Sequence, residues 1–203
     1  MLGLPKSTEV AKQLPKKAIY AKFQMNHAEK EKFDTDISKI YIANEISPMT
    51  IHIAKGENVA SIYLLQVILK RKNFAEKTLV TLTKLIDQNM ILLLEYENEC
   101  KLAVFRTKLL QSPWQPKEKC TIQLKGLDLD SVWENLIIQI GDITIQQDHT
   151  LDEQIATDDR AEKLKKEIAK LESKIRKEKQ LNRQMKLNCE LKKLKKELEV
   201  LSC

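Results

Sequence analysis

The chain has 203 residues, of which 42% are apolar and only 5% aromatic, so a core must be built mainly from Ile, Leu and Val. Four widely spaced Cys exclude a dense disulfide scaffold, and no apolar run resembles a signal peptide or the roughly 20 residues of a membrane span. We therefore expect a soluble cytoplasmic protein with reduced thiols at Cys100, Cys120, Cys189 and Cys203.

The positive charge is concentrated at the end of the chain. Residues 160–203 contain 15 Lys and Arg against 7 Glu, a net charge of +8. Because the whole chain has a net charge of +6, residues 1–159 have −2. A compact basic segment of this kind favours nucleic acid, an acidic protein or an anionic membrane surface as its partner.

Residues 1–33 begin the chain with many Lys and two prolines, Pro5 and Pro15. Each proline favours an extended conformation of the residue before it. We expect an extended arm that lies on the domain or on a partner. Within this arm, Lys16 and Lys17 are candidate contacts to DNA or to a partner protein.

Residues 34–141 are predicted to form an α+β domain. The expected elements are a helix from Asp34 or Thr35 to Pro48, strands at 49–54 and 59–72, a helix at 75–88, strands at 90–96 and 100–106, a loop at 110–119, a short strand at 120–124, and a helix that starts with a Ser131–Glu134 capping box and ends at Gly141. This order predicts a mostly antiparallel sheet with helices on one side.

The last part of the chain is predicted to be an acidic linker at 142–159, with a short edge strand at 143–145, followed by a basic helical segment at 160–203. Two stretches of Leu and Ile, at 164–175 and 187–201, have the spacing of coiled-coil a and d positions but do not share a register. A continuous helix with a local stutter would explain the break. We favour the alternative, an antiparallel helical hairpin that turns near Asn182.

Basic residues around the register break are the main candidate binding site. Each Lys or Arg that neutralises a phosphate releases counterions, so such a cluster favours nucleic acid; an acidic protein partner or a merely solvated coiled-coil face are the alternatives. The candidates are Lys174, Arg176, Lys177, Lys179, Arg183 and Lys186. Trp114, in a loop flanked by prolines, is a further candidate that would stack on a base or fill a partner pocket, or pack on its own domain.

No catalytic motif is convincing. The three His have no metal-ligand spacing, and the four Gly form no phosphate-binding loop, so we expect no metal, no cofactor and no small-molecule substrate. The best enzymatic candidate is Glu99-Cys100-Lys101, because many metal-dependent nucleases hold Mg²⁺ with an E-x-K pattern on a sheet. Against it, Glu99 falls in a predicted turn.

A set of short segments carries a family resemblance that covers nearly the whole chain. These are Leu4–Thr8, Leu14–Lys17, Ser47–Ile51, the strand pair at 91–105, Trp114, the helix entry at 127–137, and the block 177–183 followed by Leu187-Asn188. Through them the sequence resembles an uncharacterised bacterial family, the domain of unknown function 4391. Its members look like companions of helicases and DNA methyltransferases in loci similar to type III restriction–modification and phage defence.

The resemblance implies a non-enzymatic accessory subunit of a DNA-targeting defence complex, docked on a helicase or a DNA methyltransferase. It implies no catalytic residue. Two alternatives stay open, a metal-dependent nuclease that uses Glu99 and Lys101, and a self-associating structural coiled coil.

Overall fold

A computed structural model describes residues 2–146 and 149–202 of the chain. It contains two compact units, which we call the sheet unit (Met1–Ile143) and the hairpin unit (Thr144–Cys203). Asp148 of the predicted linker and the thiol of Cys203 lie outside the described residues.

The sheet unit is built on a sheet of seven strands. They are β1 (Glu9–Gln13), β2 (Ile37–Ile46), β3 (Ile62–Leu69), β4 (Asn89–Tyr96), β5 (Glu99–Phe105), β6 (Leu109–Gln111) and β7 (Gln115–Pro116). The spatial order is β1-β2-β3-β4-β5-β6, and β7 pairs with β5. All pairs are antiparallel except β3 with β4. The predicted mostly antiparallel α+β fold is therefore confirmed.

Helices cover both faces of this sheet, whereas the sequence analysis placed them on one side. The helices are α1 (Lys16–Lys22), α2 (His27–Asp36), α3 (Pro48–Ile51), α4 (Glu76–Leu82) and α5 (Leu129–Gly141). On one face, Leu65 and Leu92 of the sheet share a core with Ile19 of α1, Phe33 of α2 and Leu79 of α4.

The opposite face is covered by α5, which contacts β5 and β6. Ile91 and Leu93 of β4 point to this face, because successive side chains of a strand alternate, and both are buried. The sequence of β4 signals two-sided burial: its apolar residues run without interruption from Met90 to Leu94, as in strands covered on both faces.

The first 33 residues are not an extended arm. They contain β1, α1 and most of α2, and Ile19 and Phe33 are 1% and 2% exposed. Pro15 is the N-cap of α1, where a missing N–H removes no helical hydrogen bond, and Asn26 closes a capping box that starts α2. Pro15, one of the two prolines that suggested an extended arm, therefore marks the start of a helix.

Two neighbouring elements were assigned the wrong type. The helix expected around 37–41 is strand β2, in agreement with its content of β-branched Ile. The strand expected at 49–54 is instead the single turn α3, where Ser47 caps the helix and Pro48 occupies its first turn. His52 ends that turn in the left-handed conformation, with φ 54°.

The second half of the sheet unit follows the prediction more closely. Strands β3, β4 and β5 and helix α5 are present, although α4 ends at Leu82 and the segment 120–124 forms only an isolated bridge from Thr121 to Leu2. The predicted loop at 110–119 also contains part of β6 and all of β7.

The start of α5 differs from the expected capping box. Asp128 is the N-cap, and its carboxylate accepts a hydrogen bond from the backbone N–H of Ser131 at 2.8 Å. Ser131 therefore lies inside the helix. The N-cap is therefore Asp128, three residues before the expected one, and its carboxylate provides the acceptor that a free N–H group at a helix start needs.

The hairpin unit consists of α6 (Leu151–Lys177) and α7 (Leu181–Ser202), which form the predicted hairpin. Thr150 and Glu153 form a capping box that starts α6 inside the segment predicted as a linker, and 143–145 is not a strand. Residues 178–180 connect the helices, so the turn lies within the register break but shortly before Asn182, which belongs to α7. No helix in the described ranges is both long and apolar enough to cross a membrane.

Candidate functional site

The hairpin tip, which we define as residues 174–187, gathers all six basic residues that the sequence analysis selected. All six are exposed. The tip contains these six cations and one carboxylate, that of Glu178, so its net charge is +5. The register break concentrates them, because the connection brings the end of α6 next to the start of α7.

Four of the six cations line one groove of about 520 Å³ between the two helices. Lys174 and Lys177 come from α6, and Arg183 and Lys186 come from α7. Within each helix the two are three residues apart, a spacing that puts side chains on the same helical face. The groove also contains Leu187 and the carboxylates of Glu178 and Glu190, so its lining has four cations and two carboxylates around one apolar side chain.

Several basic residues farther from the tip are held in ion pairs. Arg160 of α6 reaches Glu197 of α7 at 2.5 Å, and Lys195 reaches Glu172 at 2.8 Å. Lys163 and Lys166 pair with acidic residues one turn earlier, at 2.7 Å each. In the ranges 2–146 and 149–202, none of the six tip cations has an ion pair. The tip differs from the rest of residues 149–202 in net charge, since the other nine Lys and Arg there are balanced by ten Asp and Glu, for a net charge of −1 against +5 at the tip.

The first turn of α7 explains which side chains point outward at the tip. Extending the Leu spacing of α7 backward from Leu187 leads to Gln184, whose amide donates to the carbonyl oxygen of Ile175 at 3.4 Å. The polar Gln184 thus takes the inward position. Leu181 and Met185 lie off the apolar stripe and are 70% and 62% exposed. Neither residue was among the predicted site residues, although their position outside both stretches of Leu and Ile indicates exposure.

The structure places Lys16 and Lys17 in α1 of the sheet unit, apart from the tip cluster. The ammonium group of Lys16 donates to Asp34 at 2.7 Å and to the carbonyl oxygen of Ile37 at 2.5 Å. The hydrogen bond from Lys16, with a second one from Tyr20, lowers the pKa of the Asp34 carboxyl. Lys16 is therefore engaged within its own unit, whereas Lys17 is exposed.

Trp114 is half-buried against the core face that contains Leu92. The ammonium groups of Lys72 and Lys101 lie 5.3 and 5.9 Å from its ring centroid, within the range of cation–π attraction. The indole thus has partners inside the sheet unit.

The residues of the nuclease alternative lie in the same area. Glu99 is the first residue of β5 rather than part of a turn, so it shares a strand face with Lys101. Its carboxylate pairs with Lys72, and burial lowers the pKa of the Lys101 ammonium. In the part of the chain that the structure describes, no group of three or more His, Cys, Asp or Glu is arranged to hold a metal ion.

Comparison with known proteins assigns the chain to a family. A family model described as Domain of unknown function (DUF4391) matches residues 2–198. The chain belongs to this family. No curated protein and no solved structure matches the chain. The family's description names no activity, so the function has to be argued from the hairpin tip.

Proposed function

We propose that this protein is a cytoplasmic accessory subunit that acts by binding, and that its hairpin tip contacts the phosphate backbone of duplex DNA. The observation that carries the proposal is the contrast in net charge along the hairpin. Outside the tip, residues 149–202 have nine Lys and Arg against ten Asp and Glu, and some of these residues form ion pairs, whereas the six basic residues at the tip are exposed and have no ion pair within the described residues.

The contrast argues against a merely solvated helical face. Exposed ion pairs contribute little to stability, and a solvated helical face needs only a balance of charges, which the hairpin has outside its tip. Six neighbouring cations with one carboxylate repel each other in the free protein. A run of phosphates would relieve that repulsion and release its own counterions.

The partner that we propose is a helicase or a DNA methyltransferase of a restriction-type defence locus. The support for it is the resemblance of segments such as Ser47–Ile51 and 177–183 to companions of those enzymes. In this proposal the tip supplies affinity for the DNA backbone without sequence specificity, because phosphate contacts position a protein on DNA but do not read bases.

The test measures affinity for a short duplex DNA across a salt series. One variant replaces Lys174, Lys177, Arg183 and Lys186 by Gln. We expect it to bind more weakly at low salt, with a slope of log affinity against log salt reduced by about 3 to 4, since each phosphate contact contributes about 0.9.

A matched control removes the same charge elsewhere on the hairpin. Lys165, Lys170, Lys192 and Lys196 are exposed residues outside the tip, and their replacement by Gln should change the slope by less than half as much. Equal losses in the two variants would show a response to net charge alone. Absence of binding by the unaltered protein at low salt would overturn the proposal.

The nuclease alternative is tested with the same protein preparation, incubated with plasmid and Mg²⁺ or Mn²⁺. Metal-dependent cleavage that disappears in Lys101→Ala would replace the binding role by a catalytic one. Light scattering would identify the third possibility, a self-associating coiled coil, by a mass at least twice the 23.5 kDa of the chain.

A further inference from the structure

Two large apolar side chains stand among the cations of the hairpin tip. Leu181 and Met185 are one helical turn apart on α7 and are 70% and 62% exposed. Arg183 lies between them in sequence, and Lys179 and Lys186 flank them. They therefore form an apolar ridge bordered by positive charge.

Packing within the hairpin does not account for this ridge. The apolar residues that hold the two helices together, such as Leu164 and Ile168, are 7% and 9% exposed. Leu187 is half-buried in the groove, and Gln184 takes the inward position in the first turns of α7. A single exposed apolar residue such as Val200 is ordinary, whereas Leu181 and Met185 expose two large apolar side chains next to each other.

We infer that Leu181 and Met185 act as a wedge at an opened base step, so that the tip binds a forked DNA, where duplex meets single strands, more tightly than an intact duplex. This inference rests on the proposed function, because the surrounding cations would hold the phosphates on either side. Apolar side chains such as Leu and Met are inserted between bases by other DNA-binding proteins, and unstacking a step costs a few kcal/mol. At a fork that cost is absent, since the two strands are already separated beyond the last base pair and their phosphates continue on both sides of the opening.

The charge around the ridge favours DNA over a protein surface as the occupant. Lys is depleted in protein–protein interfaces, and four of the six basic residues from Lys174 to Lys186 are Lys. An acidic protein remains the occupant that the experiment has to separate from DNA.

The test compares affinities for a fork and for a blunt duplex with the same number of phosphates, by fluorescence anisotropy of the full chain. We expect the unaltered protein to prefer the fork by at least about tenfold, which corresponds to part of the unstacking cost. In the double variant Leu181→Ser and Met185→Ser the preference should fall to about onefold, while the salt slope on the blunt duplex stays unchanged. Both positions are exposed, so the helical circular dichroism should be retained.

Val200→Ser is the matched control, because Val200 is also 70% exposed on α7 but lies near the other end of the helix. It should leave the preference for the fork unchanged. Equal affinity of the unaltered protein for both DNAs, or a preference that survives the double variant, would overturn the wedge while leaving the proposed function intact. Binding to polyglutamate with no binding to either DNA would overturn both in favour of an acidic protein.

Discussion

The two units of the molecule use charge in opposite ways. In the sheet unit, the fully buried carboxylate of Asp36 accepts from the guanidinium of Arg71, and the buried Glu95 pairs with Lys117 at 2.7 Å. In the hairpin unit the ion pairs are exposed, and within the described residues the cations at the tip have none. The ion pairs at buried carboxylates stabilise the sheet unit, whereas the concentrated charge of the tip has no ion-pair partner in the described part of the chain.

The largest expected difference between the units is the reactivity of their thiols. Cys100 and Cys120 are each 1% exposed, whereas Cys189 of the hairpin is exposed. Burial, together with the hydrogen bond to Cys120, raises the pKa of the Cys100 thiol, so its reactive thiolate is scarce. We expect iodoacetamide at pH 8 to label Cys100 at least about a thousandfold more slowly than Cys189, as measured by peptide mass mapping.

Labelling in denaturant is the control for this prediction. There the two thiols should react at similar rates, because burial is lost. Rapid labelling of Cys100 in the folded protein would show that this part of the sheet opens readily.

The next largest difference concerns stability. Arg71→Met would leave the carboxylate of Asp36, which is 0% exposed, without its cationic partner, and we expect a loss of about 3 kcal/mol in the free energy of unfolding. Both Trp belong to the sheet unit, so denaturant unfolding followed by Trp fluorescence reports on that unit.

The matched change in the hairpin is Glu197→Gln, which removes the partner of the exposed Arg160. Because exposed pairs contribute about 1 kcal/mol or less, helical circular dichroism should show only a small shift of its unfolding transition. A larger loss of stability for Glu197→Gln than for Arg71→Met would contradict the view that ion pairs matter more for the fold of the sheet unit than for that of the hairpin.

The smallest expected effect is a pH dependence at Asp34. Hydrogen bonds from Lys16 and Tyr20 lower the pKa of this carboxyl in the folded protein. A lowered pKa contributes stability above the unfolded value of about 3.9, and the contribution is lost as the pH falls through the folded pKa. Asp34→Asn should therefore cost about 1 kcal/mol or less at pH 7, and the difference from the unaltered protein should vanish at the acidic end.

Asp87→Asn serves as the control, since it removes an exposed carboxylate from the same unit. Unfolding curves at several pH values between 7 and 3 provide the measurement. A difference for Asp34→Asn that grows on acidification would have the wrong sign and would refute the role of the carboxylate.

The elements that could be predicted from sequence are those with an uninterrupted pattern. β3, β4 and β5 have long apolar runs, and α5 has a complete apolar face. The region 37–41 failed because Ile37, Ile40 and Tyr41 fit the spacing of a helix as well as burial in a strand. Only pairing with β3, which is distant in sequence, decides between the two.

Contacts between residues that are distant in sequence also limited the prediction of the candidate site. Counting charges located the basic cluster, and the register break located the turn, because both are local in sequence. Ion pairing was not predictable: Lys16 is engaged by Asp34, 18 residues away, and Arg160 by Glu197, 37 residues away. Whether a Lys is available therefore depends on contacts that only the folded chain defines.

The length of the hairpin has a consequence for how an assembly could be organised. The 27 residues of α6 extend about 40 Å at 1.5 Å per residue, close to the length of 12 base pairs. A subunit fixed near the start of α6 would have its cationic end a full turn of B-DNA away along the axis of that helix. In the proposed function, the number of residues between Thr150 and the turn would set the distance between that anchoring point and the DNA contact.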